Sequence, residues 1–311
     1  MKLTPYPGYE THVMANIGGP EHQVPMEQIQ AMIAKGNPAP GTEVKDIEIP
    51  GPDEGQKLKL RVITPAGLPE KAPIIMDIHG GGFVSGSVLI DDSRNLLVAE
   101  NLPCIVVSVE YRLTTDEIYY PKPLQDCITA WLWLHDHAAE LGGDADRMGL
   151  MGTSAGGNLC AGLQLWVRDH GLPAPKLTAL VCAAFKRGKN ASKLQFGELS
   201  GDETVDTAAS VDYRYLPGDG QRPPYYAFPG YCDDLSGLSP TMIIAAEYDP
   251  LRADDLEYAA RLYEAEVPCE LFVAPRVTHG YCVVDHPLTR FTQRMIVASM
   301  KREFGMEVGK I

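Results

Sequence analysis

Arg147-Met148-Gly149-Leu150-Met151-Gly152-Thr153-Ser154-Ala155-Gly156-Gly157-Asn158 decides how the rest of the chain is read. Residues 147–151 have the length and apolar content of a short buried strand. From Leu159 to Val167, Leu, Ala and Trp recur at helical spacing. Between the two lies G-x-S-x-G, in the strand–turn–helix context that the pattern needs to place a nucleophile. The turn is so tight that Gly152 and Gly156, two before and two after Ser154, must be nearly free of side chain. It lifts the Ser154 hydroxyl clear of the sheet and aims the following N–H groups at whatever that hydroxyl attacks. A Gly-rich phosphate-binding turn is the competing reading, but the chain has neither G-x-G-x-x-G nor a Walker lysine here.

A serine hydroxyl needs a base to take its proton, and the base needs a carboxylate to fix its tautomer. Eight histidines compete. His12 and His22 lie in the N-terminal segment, His135, His137 and His170 fall around helix ends, and His286 precedes a proline. These six read most simply as surface or capping residues. His279 instead follows the strand-like Glu270–Val273, and a strand's carboxyl end is where ligand chemistry gathers in open α/β sheets. His79 opens His79-Gly80-Gly81-Gly82-Phe83 after the apolar run Ile74–Ile78. Three glycines in a row let the backbone approach a substrate and present N–H groups to it. His79 therefore reads as the residue that orients this loop, not as the base. Asp249 follows the strand Met242–Ala246 and precedes Pro250; it serves either as the acid or as a helix cap. Glu247 still lies at the strand end, and Asp254 and Asp255 suit the N-terminus of the next helix.

The chain has 311 residues, 45% of them hydrophobic, enough for a sizeable core. Lys+Arg 27 against Asp+Glu 41 gives a net charge of −14, which argues against nucleic acid or an anionic membrane as partner. No apolar stretch is long enough to span a bilayer, and the first thirty residues lack a signal-peptide pattern. Seven cysteines without metal-ligand or C-x-x-C spacing suit reduced thiols and a cytoplasmic location. Glu43–Ile49 and Leu58–Thr64 predict an antiparallel pair with one wet face, since Leu58, Leu60 and Val62 alternate with Lys57, Lys59 and Arg61. Beyond Pro73, near-continuous apolar strands at 74–78, 105–109, 177–182, 242–246 and 270–273 alternate with helical stretches at 124–137, 159–167, 254–264 and 287–304. That rhythm predicts an α/β fold, a mostly parallel sheet wrapped by helices. Met26, Ile29, Met32 and Ile33 share one face of a short N-terminal helix. The polar stretch 186–237 breaks the rhythm. Loops this long in a compact domain usually cover or bind, and its Tyr213, Tyr215, Tyr225, Tyr226, Pro223 and Pro224 suit a stiff pocket wall.

Taken together, His79-Gly80-Gly81-Gly82-Phe83, Gly152-Thr153-Ser154-Ala155-Gly156-Gly157-Asn158, Asp249-Pro250-Leu251-Arg252 and His279-Gly280 resemble the hormone-sensitive-lipase-like carboxylesterases. Tyr111-Arg112-Leu113 and Asp234-Leu235-Ser236-Gly237-Leu238-Ser239-Pro240 extend the resemblance, which covers roughly Ile74 to His279. The order Ser154, Asp249, His279 is the nucleophile–acid–base order of α/β-hydrolases. Thr153 resembles the branch with threonine before the serine. Thr114-Thr115-Asp116 departs from the family's usual Ala-Pro-Glu, which puts the shape of that loop in question. The resemblance implies one α/β-hydrolase domain over residues 1–311, with a core at 46–185 and 238–311 and a cap from 1–45 and 186–237. It implies hydrolysis of small, short-acyl esters through an acyl-enzyme, with no metal or organic cofactor. Ser154 would attack, His279 would move the proton, and Asp249 would hold the imidazole. The N–H groups of Gly81, Gly82 and Ala155 would meet the oxyanion. Many relatives dimerise, so a homodimer stays open beside the small-molecule ester. An amidase or formamidase with the same triad, or a catalytically silent small-molecule receptor on this scaffold, are the alternatives.

Overall fold

The structure, a computed structural model, describes residues 4–17, 31, 35–200, 211–218 and 222–308. Helix α1 (Glu10–Ile17) precedes the hairpin β1 (Glu43–Pro50) and β2 (Lys57–Thr64). Then follow β3 (Ala72–Ile78), α2 (Asp92–Asn101), β4 (Ile105–Glu110), α3 (Lys122–Asp136), β5 (Gly143–Thr153), α4 (Ala155–Asp169) and β6 (Thr178–Val181). Two helices, α5 (Ala191–Ser200) and α6 (Val211–Tyr215), lie between β6 and β7 (Thr241–Tyr248). Helix α7 (Arg252–Glu264), β8 (Cys269–Thr278) and α8 (Pro287–Glu303) complete the order. The eight strands form one sheet in the order β1-β2-β4-β3-β5-β6-β7-β8. The first two pairings, β1 with β2 and β2 with β4, are antiparallel; all the rest are parallel. This is the expected α/β architecture, and the predicted hairpin leads into it.

Side-chain alternation divides the core between the two faces of the sheet. On one face Ile74, Met76, Ile78, Leu150 and Ile243 pack with Trp131 of α3, Leu159 and Leu163 of α4, and Tyr258 of α7. On the other, Ile75, Val106, Met151, Met242 and Ile244 meet Leu96 and Val98 of α2, Ile296 and Met300 of α8, Val13 of α1, and Tyr9 just before α1. One strand departs from expectation. β8 closes the sheet and is only partly covered: Leu271 is 36% exposed, and Phe272 is half-buried against Phe291 on α8. Its apolar run had suggested burial on both faces, but an edge strand has one neighbour fewer to cover it. The sequence reading also passed over α2, whose polar Arg94 and Asn95 face inward and spoil the apolar period. The helix expected around Met26–Ile33 falls outside the described residues, Ala31 apart. Among the described residues no helix is long and apolar enough to cross a membrane.

Tight packing of α4 onto β3 sets the geometry of the turn between β5 and α4. A Cβ built on Gly156 would lie 1.9 Å from the Ile78 carbonyl oxygen and 2.6 Å from that of His79. Both obstacles are backbone, so no side chain can swing aside. Gly156→Ala is expected to lower unfolding stability by ~3 kcal/mol or more, the upper range for overpacking. Gly55→Ala, in open space at φ +74°, should cost only about 1–2 kcal/mol of backbone strain. Denaturant unfolding of both variants checks this, and equal losses would show that the helix does not sit so tightly.

Candidate active site

Ser154 links β5 to α4 with φ 58° and ψ −119°, a conformation that non-glycine residues avoid. Such strain costs on the order of 1–3 kcal/mol and persists only where the surroundings hold it. Here the Ser154 N–H donates to the Val181 carbonyl at 2.8 Å, while its own carbonyl accepts from Asn158 N–H at 3.0 Å. The Asn158 side chain in turn donates to the carbonyls of Ala184 at 2.6 Å and Ala227 at 2.9 Å. The elbow is thus tied to the loop beyond β6.

The geometry brings Ser154, His279 and Asp249 into one chain of contacts. Ser154 Oγ lies 2.9 Å from His279 Nε2, and His279 Nδ1 lies 2.9 Å from Asp249 Oδ2. Asp249 is fully buried, and its other oxygen, Oδ1, accepts the Leu251 N–H at 2.8 Å. One carboxylate oxygen thus faces the His279 ring, while the other braces the turn before α7, whose N-cap is Leu251 without a side-chain bond. Burial opposes a charge on the His279 ring, but the Asp249 charge and hydrogen bond outweigh it and leave its pKa above the ordinary 6.5. Glu247 turns elsewhere. Its Oε2 accepts the Arg276 N–H at 2.7 Å, at the irregularity where the pairing of β7 with β8 shifts register. It shapes the strand that delivers His279 without touching the ring.

Beside the elbow runs the glycine loop. Gly81, Gly82 and Phe83 have φ of 123°, 61° and 64°, and a Cβ on Gly81 would fall 2.0 Å from the Ser85 carbonyl oxygen. Only glycine fits there. Among the described residues the N–H groups of Gly81, Gly82 and Ala155 donate to no other group, so all three are available. His79 is buried, stacked on Tyr111 with ring centroids 4.3 Å apart, and its Nδ1–H donates to the Gly80 carbonyl at 2.7 Å. Burial holds this ring below the ordinary histidine range. The Tyr111 hydroxyl donates to the His79 carbonyl at 3.0 Å. Thr114, at the start of the departing Thr-Thr-Asp stretch, donates its N–H to the Phe83 carbonyl at 2.8 Å. Asp116 is exposed, so the loop braces the glycine turn through Thr114 and not through its carboxylate.

Several supports were not read from the sequence. Thr153 accepts a hydrogen bond from Arg94, which also pairs with Asp77. Asp77 further accepts from Asn95 at 2.8 Å and from the Ser108 hydroxyl at 3.2 Å. An aspartate in the apolar run Ile74–Ile78 was the available signal, since a buried carboxylate requires partners. Asp254 and Asp255 are not solvated helix-end charges: both are buried. Burial pushes Asp254 up to about 6. Burial first, then the nearby Asp249 charge, drive Asp255 well above the ordinary carboxylate range, and Asp255 Oδ1 accepts the Ala183 N–H at 3.1 Å.

Of the remaining histidines, His286 caps α8 by accepting the Leu288 N–H at 3.1 Å. His137 and His170 bond carbonyls at the ends of α3 and α4, at 2.9 and 2.8 Å, and His135 meets its neighbour Asp136 at 3.2 Å. His22 lies outside the described residues. His12 contradicts its reading as a surface or capping residue: it is 6% exposed and packs beside His279. The tyrosines of the 186–237 stretch divide as well. Tyr225 and Tyr226 both donate to Asp169, at the far end of the 15-residue α4, about 22 Å from Ser154 at the usual helical rise. They fasten the segment and wall no pocket at the serine. Tyr215, however, stacks on Phe83 with centroids 3.9 Å apart.

Cys182, Asp249 and His279 are the group of possible metal ligands among the described residues, their donor atoms lying within 4.8 Å of one another. They do not suit an ion. His279 Nδ1 and Asp249 Oδ2 are 2.9 Å apart, closer than the roughly 3.3 Å edge of a tetrahedral zinc site. Burial also pushes the Cys182 thiol well above its ordinary pKa and away from the thiolate.

Comparison with known proteins identifies the family. The model of a family described by its alpha/beta hydrolase fold matches residues 75–283. An arylesterase of Saccharolobus solfataricus is 33% identical over 260 residues, 82% of each chain. An ethyl acetate hydrolase of Pseudomonas putida is 30% identical over 265 residues, 82% of this chain and 80% of its own. A solved bacterial heroin esterase superposes with a TM-score of 0.79 at 31% identity, covering 90% of this chain and 89% of that one. The chain belongs to the α/β-hydrolase-fold, hormone-sensitive-lipase-like carboxylesterase family, and it is a carboxylic-ester hydrolase.

Proposed function

We propose that the protein hydrolyses small, short-acyl esters through a Ser154–His279–Asp249 triad and an acyl-enzyme. The observation that carries this reading is the pair of 2.9 Å contacts from Ser154 Oγ through the His279 ring to Asp249. With Nδ1–H donated to Asp249, Nε2 carries the lone pair and faces the hydroxyl. Ser154 Oγ attacks the ester carbonyl while Nε2 takes its proton. The oxygen that gains the negative charge sits among the N–H groups of Gly81, Gly82 and Ala155, donors fixed before the charge develops. Collapse breaks the C–O bond, and the imidazolium gives its proton to the departing alkoxide. Water then repeats the sequence on the acyl-enzyme, with the same ring as base. A fluorophosphonate that labels Ser154, followed by matched ester and amide substrates, tests both the nucleophile and the preference for esters.

Residues 1–45 and 186–237 are read as a cap on this site. Supporting that reading, Tyr215 packs on the residue after the glycine loop, and α1 packs at the end of β8. Short acyl groups are favoured by the same packing and by the ethyl acetate hydrolase among the relatives. A fixed pocket rewards each added CH₂ by about 0.8 kcal/mol only while apolar wall remains to meet it. Chromogenic esters of one alcohol should therefore turn over best with about two to six acyl carbons. A preference for palmitoyl, or a rise in rate when the substrate forms droplets, would mean that the cap opens as in a lipase.

Asp249→Asn should leave the fold intact and lower turnover by about 10⁴, the loss that follows from a wrong histidine tautomer. Glu247→Gln keeps an oxygen for the Arg276 N–H and should cost far less. Steady-state kinetics with circular dichroism decide, and reversed effects would move the acid to Glu247. The pH profile gives a separate check. Only neutral His279 accepts the serine proton, so kcat/KM falls as pH drops through its pKa. Because that pKa is raised, the half-point should lie above pH 6.5. A rate that stays flat down to pH ~5 would remove histidine as the base.

A further inference from the structure

We propose that His12, carried on α1, is a positioning residue for the reaction, clamping the turn on both sides of His279 and so holding that ring in place. The inference rests on the triad reading above and adds to it a residue from the N-terminal segment. His12 Nδ1 lies 3.1 Å from the Thr278 hydroxyl oxygen, and the ring also bonds the Gly280 carbonyl. Its two partners are therefore the residues immediately before and after His279. A neutral imidazole has one N–H and one lone pair, so it can donate to the carbonyl and accept from the hydroxyl at once. Thr278 is itself fully buried, and Gly280 turns the chain at φ +73°.

The helix that delivers His12 is anchored at several points. Tyr6 N–H donates to the Arg276 carbonyl at 2.9 Å, and the Tyr9 hydroxyl meets Thr289 on α8 at 2.5 Å. Tyr9 also packs on His286, with centroids 4.4 Å apart, and edge-on to His12 at 6.0 Å. Such multiple fastening is what a side chain needs to fix another side chain.

Charge fits the role. At the start of α1 the titratable neighbours are Tyr9, just before the helix and bonded to Thr289, and Glu10, which accepts the Gly8 N–H at 2.9 Å. On α5, packed against α1, Lys193 is engaged with Asp212 at 2.9 Å. At the end of β8 stands His279, the charged group that acts on His12. Burial, then the His279 charge, lower His12 to about 4. The first proton goes to His279 and keeps a second off His12, so the clamp stays neutral while the base titrates.

The test uses the full chain with His12→Ala and His12→Gln, a chromogenic butyrate ester, and fluorophosphonate labelling of Ser154. His12→Ala should lower kcat by about tenfold to 100-fold, the loss expected from slight misplacement of a reacting group, with KM little changed. It should also move the acid limb of kcat/KM to lower pH, because a loosened His279 loses part of the Asp249 hydrogen bond that raises its pKa. His12→Gln, which can donate and accept, should keep the wild-type limb and most of kcat. A residue that merely packs α1 would lower the melting temperature without moving the limb. Wild-type kcat and limb in His12→Ala overturn the inference. Should that variant not fold, Thr278→Val replaces it; a fall in kcat with a lowered limb supports the clamp, and wild-type behaviour overturns it. If the unaltered protein is not labelled at Ser154, the triad reading fails and takes this one with it. Labelling with unchanged variants sinks His12 alone.

Discussion

The parallel pairing of β3 with β5, which sets Ile78 opposite Gly152, is the constraint on which the site depends. It brings two different loops to the same end of two adjacent strands. One carries His79 to Phe83, the other Ser154. A Cβ on Gly80 would lie 2.9 Å from the Thr153 carbonyl and 3.3 Å from the Ser154 Cβ, so the loops are in contact and not merely near. On the proposed mechanism, donors from one loop and Ser154 from the other address one carbonyl without rearrangement. Backbone alone then supplies a preorganised oxyanion site.

Holding two tight, partly strained turns together requires support from below. Arg94, Asp77, Asn95 and Ser108 supply it as a buried polar cluster between α2 and the sheet, ending on Thr153 beside the nucleophile. A buried ion pair seldom adds net stability over apolar packing, yet removing one member costs about 3–5 kcal/mol because the other is left charged and alone. The cluster therefore buries its charges at a position where direction matters more than stability. It fixes Thr153, and through it the start of the elbow, at an angle that apolar contacts would leave free to slide.

Much of this was legible in the chain, for identifiable reasons. Gly152-Thr153-Ser154-Ala155-Gly156 is readable because only glycine tolerates the 1.9 Å approach of a built Cβ to the Ile78 oxygen; sterics write themselves into residue identity. Asp249 and His279 follow because each sits just past an apolar strand. Where the reading fell short, the determinant was a contact between distant segments. His12 is 266 residues from Thr278, and no local pattern marks it as buried. Asp254 and Asp255 have the sequence position of helix-end charges, but their burial depends on what β6 and α5 place over them. β8 looked doubly buried because its composition says nothing about which strand ends the sheet. Tyr225 and Tyr226 showed their stiffness and hid their address, at the wrong end of α4.

His279, Asp249, His12 and Asp255 are among the titratable side chains that crowd behind the serine, and their environments sort them. His279 keeps a raised pKa because the Asp249 charge and hydrogen bond outweigh burial. At His12 and Asp255 burial is the larger effect and pushes each toward its neutral form, down to about 4 for the histidine and well up for the acid. Groups driven apart in this way are what a proton-transfer site needs. On the proposed mechanism, a charged His12 would repel the imidazolium formed when Ser154 attacks, and a charged Asp255 would compete with Asp249 for its proton. Keeping both neutral leaves a single carboxylate and a single titrating ring in line with Ser154.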